Sequence, residues 1–129
     1  MDRRQEIEAL ASRLVNIAFK IHTELGPGLF ESVYEEVFCI ELIREGIPFR
    51  RQHPVDIFYF EHHIESAFKS DIFVDETIII ELKSVDELHK VHYKQLQTYL
   101  KLTGIRLGLL INFNETLIKD GIKRVVNGL

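Results

Sequence analysis

The stretch Asp71-Ile-Phe-Val-Asp-Glu-Thr-Ile-Ile-Ile-Glu-Leu-Lys83 constrains the fold more than any other part of this chain. Its apolar, β-branched run ends in charge. Side chains alternate across a strand, so Glu81 and Lys83 project from one face while Leu82 projects from the other. Charges placed inside an apolar strand cost stability unless they are paired or bind a metal. The turn sharpens the point. If Asp75, Glu76 and Thr77 form a three-residue loop, Val74 lies opposite Ile78, Phe73 opposite Ile79, Ile72 opposite Ile80 and Asp71 opposite Glu81. Directly opposed β-carbons lie ~4.5–5.5 Å apart, close enough for bare carboxylates to repel each other. A two-residue loop would send the two acids to different faces. With three residues in the loop, two carboxylates share one face and call for a cation.

The rest of the chain supplies a frame for that strand pair. Residues 5–24 place Ile7, Leu10, Leu14, Ile17, Ala18 and Ile21 at helical spacing, and Gly26-Pro27-Gly28 breaks the helix. A second helical pattern runs through Leu29, Val33, Val37, Ile40 and Leu42-Ile43 and stops at Gly46. Val55–Phe60, Ile64–Val74 and Ile78–Lys83 read as strands, with Glu61-His62-His63 as a turn. Helical spacing returns over 88–102, Ile105–Phe113 reads as a buried strand, and Ile118–Val126 adds a short last strand. The order α-α-β-β-β-α-β is that of a mixed α/β domain. No repeat, low-complexity tract or linker interrupts it, so residues 1–129 are expected to form one domain.

Charge and cysteine content exclude several classes. A net charge of −4 rules out the broadly basic surface of a non-specific nucleic-acid coat protein. The single cysteine, Cys39, forbids an internal disulfide and any CxxC metal framework. The first ten residues are too charged for a signal peptide, and no apolar run approaches the ~18–20 residues of a transmembrane helix. The expectation is a cytoplasmic protein with no membrane partner.

Three motifs then stand in order. Gly28-Leu-Phe-Glu31-Ser-Val-Tyr34 has the pattern GxxExxY; Asp71 followed by Glu81-Leu-Lys83 has the pattern D…ExK; Gln95-Leu-Gln-Thr-Tyr99 has the pattern QxxxY. Together they resemble the GxxExxY family, a small-domain branch of the PD-(D/E)XK nuclease superfamily related to RecB-type nucleases. The resemblance runs from about Asn16 to Val126 and includes Gly104–Phe113. Ser70 stands where the superfamily signature has proline.

The resemblance implies a restriction-endonuclease-like αβββαβ core, a mixed central sheet flanked by helices, with Mg²⁺ or Mn²⁺ in a cleft. It implies a phosphodiester hydrolase whose substrate is DNA or RNA. Asp71 and Glu81 would ligate the metal, with the backbone carbonyl of Leu82 as a further ligand and Glu31 as the acidic residue of the first core helix. Lys83 would position the attacking water and stabilise the phosphate. Gln95 would orient water or substrate, Tyr99 would buttress the site, and His92 and Tyr34 are candidates for substrate contact. The chain is small and acidic, so a homodimer or partner protein is expected to supply specificity.

Plainer readings stand beside these. Asp71, Glu81 and Lys83 can form an ion cluster without metal, and Glu31 can be a first-turn carboxylate favoured by the helix dipole. Glu35, one turn on, rivals Glu31 as a ligand. Tyr34 suits packing better than chemistry. His89 and His92 lack a third ligand for zinc, and His62-His63 suits a solvated turn. Lys90, Lys94 and Lys101 form a basic stripe that suits either solvent or, with Arg50-Arg51, a phosphate backbone. An interaction module on an inactive nuclease fold is the alternative function.

Overall fold

A computed structural model describes residues 1–129. Two helices open the chain, α1 (Arg3–Leu25) and α2 (Glu31–Arg44). Asp2 caps α1, its carboxylate accepting the Gln5 N–H at 2.8 Å while the Gln5 side chain accepts the Asp2 N–H. Three strands follow: β1 (Phe49–Tyr59), β2 (His62–Val74) and β3 (Ile78–Lys83). Helix α3 (Lys90–Thr103), strand β4 (Leu107–Asn112), a 3₁₀ turn (Ile118–Gly121) and β5 (Ile122–Val126) complete the chain. The sheet order is β1-β2-β3-β4-β5, antiparallel except for the parallel β3–β4 pair that α3 connects. This mixed sheet flanked by helices is the restriction-endonuclease-like α/β architecture expected from the motifs.

The β2–β3 register follows the count from the three-residue loop: Val74 pairs with Ile78, Phe73 with Ile79 and Ile72 with Ile80. The turn is tight, with φ of 50° at Asp75 and 53° at Glu76. The Thr77 N–H donates to the Val74 carbonyl at 2.9 Å, which makes Thr77 the extra residue that completes the count.

Several boundaries differ from the periodicity reading. Strand β1 starts at Phe49 rather than Val55, because an edge strand tolerates both Arg50-Arg51 and Pro54. The β1–β2 turn falls at Phe60-Glu61, and His62 and His63 already belong to β2. The last apolar stretch splits into the 3₁₀ turn and β5, so the strand occupies only its second half.

Two apolar layers sandwich the sheet. The larger joins Ile7, Leu14 and Ile17 of α1 and Phe38 and Leu42 of α2 to Ile72, Val74, Ile78, Ile80 and Leu82. The smaller joins Leu96 and Leu100 of α3 to Ile79, Leu110 and Val125. Gly108 lets α3 lie close to β4, since a β-carbon there would sit 2.9 Å from the Leu96 side chain. Ile79 faces α3, so by alternation Glu81 and Lys83 face α3 as well; Phe73 does the same for Asp71.

Candidate metal centre

The chemistry-bearing side chains gather where β2 and β3 part, beyond their last ladder pair, Ile72–Ile80. Asp71 turns one oxygen to the backbone of the neighbouring strand, where Oδ2 accepts the Leu82 N–H at 2.8 Å. Its carboxylate thereby replaces a ladder bond and is held against β3. Glu81 is 7% exposed, and its Oε1 is buried with no hydrogen-bond partner. Burial pushes the Glu81 carboxyl up to about 9, and the neighbouring Asp71 charge raises it further than Lys83 lowers it. Lys83 takes part in none of the chain's ion pairs.

Helix α3 closes one side. The Tyr99 ring stacks on Phe68 of β2 with centroids 3.9 Å apart and planes within 7°, tying the helix to the long hairpin. Burial first, and the charges of Glu81 and Asp71 next, raise the Tyr99 hydroxyl above its ordinary value. His92 is lowered by burial, then by Lys83 and His89, with Glu31 opposing. Its Nδ1 accepts the His89 N–H at 3.0 Å, so its ring caps the start of α3. Gln95 is exposed, and with Tyr99, Lys94, Phe68, Ala67 and Ile57 it lines a groove of about 400 Å³ between α3 and the hairpin. The largest cavity, about 530 Å³, lies toward the other end of β3 around Phe73, Ile79 and Ile105 and does not touch Lys83.

The remaining expected residues come from α2 and the core. Glu31 opens α2 and accepts the Ser84 N–H at 3.3 Å, linking the helix to the residue after Lys83. It does not join Asp71 and Glu81, since no three His, Cys, Asp or Glu side chains converge as a metal-binding group. Leu82 sends its side chain into the larger core. Tyr34 has no exposed surface for a substrate to touch. Its ring stacks on Phe113 at 4.4 Å and its hydroxyl donates to the Gly26 carbonyl at 2.6 Å, a packing role.

Residues 8–125 match the family profile of the PD-(D/E)XK nuclease superfamily. The chain belongs to the PD-(D/E)XK nuclease superfamily. No curated protein and no solved structure matches it.

Members of this superfamily generally use divalent metals such as Mg²⁺, and Asp71 with Glu81 suits one. Both offer hard oxygen donors, Glu81 has a buried oxygen without a partner, and Mg²⁺ takes only one or two carboxylates directly while keeping waters. Within the same nuclease-superfamily fold, three residues beyond the motifs shape the centre. Glu35 has both oxygens occupied, Oε2 by Arg51 Nε at 2.6 Å and Oε1 by Gln52 Nε2 at 2.6 Å. Asn112, fully buried, brackets Val85 by accepting its N–H and donating to its carbonyl, which fixes the segment leaving Lys83. Gln52 has a legible signal only once β1 is extended to Phe49, because the register then sets it opposite Asp71.

Proposed function

We propose that this chain, as a GxxExxY-type member of the superfamily, is a Mg²⁺- or Mn²⁺-dependent nuclease hydrolysing phosphodiester bonds in DNA or RNA. The observation that carries the reading is the buried Glu81 carboxyl with an unpartnered oxygen, set against Asp71 and sharing its sheet face with Lys83. A buried carboxyl set beside a second carboxylate is a poor structural element. It is a good cation site.

Asp71 and Glu81 would hold the ion, with the Leu82 carbonyl beside them. Once bound, such an ion supplies Lewis acidity and positive charge for phosphate hydrolysis. Lys83, free of any carboxylate partner, donates hydrogen bonds to the phosphate oxygens and balances the charge that develops on them. The anchored loop after Lys83, fixed by Asn112 and Glu31, keeps the ammonium group in place. Gln95 orients water or substrate from the groove, Tyr99 buttresses the acids, and His92 stands at the cleft edge for substrate contact. With a net charge of −4, the chain is expected to draw specificity from a homodimer or a partner protein.

The test is incubation of the purified chain with single- and double-stranded DNA and RNA, with Mg²⁺ or Mn²⁺ and with EDTA. Cleavage of at least one substrate, abolished by EDTA, is the expected result. Metal binding without cleavage of any substrate would overturn turnover in favour of an interaction module.

A further inference from the structure

Gln52 has a backbone conformation that packing does not explain. Its φ is 49°, in the left-handed region, although it is neither glycine nor a turn residue. Phe60, Asp75 and Glu76 share that region but lie in hairpin turns, and Ser66 lies on the stretch of β2 where the pairing shifts between Val55 and Ile57. At Gln52 the register keeps its phase, from Arg51–Ile72 to His53–Ser70, and only the Gln52–Asp71 pair itself drops out of the ladder. The side chain is solvent-exposed, so no apolar contact compensates the strained backbone. Only its amide is engaged. Nε2 donates to Glu35 Oε1 at 2.6 Å and to Asp71 Oδ1 at 3.3 Å.

The two bonds complete a chain of contacts into the centre. Arg51 grips the other oxygen of Glu35 at 2.6 Å and reaches Glu36 at 2.6 Å, so the Glu35 carboxylate is fixed from α2 and β1 together. Gln52 hangs from that fixed point and holds Asp71 Oδ1, while the Leu82 N–H holds Asp71 Oδ2. The Asp71 carboxylate is thus gripped at both oxygens, each of which keeps a lone pair for another partner. Strain at a residue whose side chain does nothing but link the fixed Glu35 carboxylate to a candidate ligand points to a role in the centre rather than in folding.

We propose that Gln52 is a positioning residue that orients the Asp71 carboxylate for a divalent cation, with Arg51 and Glu35 fixing its amide. This rests on the metal-dependent reading above. Gln52→Met keeps the length and the backbone demand but removes the donors; Gln52→Gly removes the donors and relieves the left-handed strain. Partners of metal ligands typically contribute ~10–100-fold to metal affinity, so both variants should weaken Mn²⁺ binding by about tenfold or more in calorimetric titration. Gln52→Gly should at the same time unfold at or above the wild-type temperature. That combination, weaker binding without weaker folding, is one a purely structural residue would not give. Mn²⁺ affinities in both variants within about twofold of wild type would overturn the proposal. Absence of Mn²⁺ binding by the wild-type chain would instead overturn the metal-dependent reading, and this inference with it.

Discussion

At position 81 a carboxyl group sits inside an apolar strand, nearly out of solvent, with one oxygen unpartnered and a second carboxylate beside it. A buried unsatisfied polar group costs about 1–3 kcal/mol, which the metal-free fold carries without structural return. Glu81→Gln keeps the volume and removes a carboxyl that burial beside Asp71 forces to take up a proton on folding. It should therefore raise the unfolding temperature of the metal-free chain, by the equivalent of roughly 1 kcal/mol, while the stabilisation by added Mn²⁺ disappears. Thermal unfolding with and without Mn²⁺ checks both halves; a metal-free variant less stable than wild type would speak for a structural carboxyl. Asp71, Glu81 and Lys83 were legible because strand alternation and one loop count set their faces. Gln52, Glu35 and Asn112 were not. Their engagement depends on side-chain hydrogen bonds across elements, which no periodicity encodes.

Where α1 gives way to α2, the GxxExxY segment does structural work through its tyrosine. The Tyr34 hydroxyl accepts the Leu29 N–H at 3.2 Å and donates to Gly26 O at 2.6 Å, closing the bend between the helices while the ring stacks on Phe113 of the loop after β4. Tyr34→Phe strands two backbone groups and should cost about 1–2 kcal/mol of unfolding free energy in urea, with Mn²⁺ affinity unchanged. A loss of affinity at unchanged stability would return Tyr34 to the centre. The helices themselves were legible from apolar spacing. The start of β1 was hidden because Arg50-Arg51 and Pro54 resemble a loop, yet they are what an exposed edge strand carries. The 3₁₀ turn at Ile118–Gly121 was hidden because its apolar residues read as more strand.

Across the whole molecule, charge is spread unevenly. Helix α3 has no acidic residue, and its Lys90, Lys94 and Lys101 stand outside every ion pair, although the chain as a whole is negative. Elsewhere eight of the twenty acids sit in ion pairs. The Glu41 carboxylate, hydrogen-bonded first to Lys20 at 2.9 Å and also to Arg44, is held below its ordinary value of 4.5. A carboxylate depressed in the folded state contributes stability above its unfolded pKa and loses it as pH falls through the lower folded value. Unfolding free energy should therefore fall as the pH drops below about 4.5. Glu41→Gln should be less stable than wild type at neutral pH and converge with it in acid, as urea titrations across that range would show; an equal gap at every pH would contradict the ion-pair account. The fold class was legible at this scale because the motif order and element order agree. Substrate identity was not, since a lysine stripe reads alike on a solvated helix and on a phosphate track. The central claim is that Asp71, Glu81 and Lys83 form one metal-dependent hydrolytic centre. The most direct measurement compares nucleic-acid cleavage with Mn²⁺ binding in the wild type, Asp71→Ala and Lys83→Ala. Asp71→Ala should lose both, whereas Lys83→Ala should still bind Mn²⁺ but cleave at least about 100-fold more slowly; cleavage at the wild-type rate in both variants would contradict the claim.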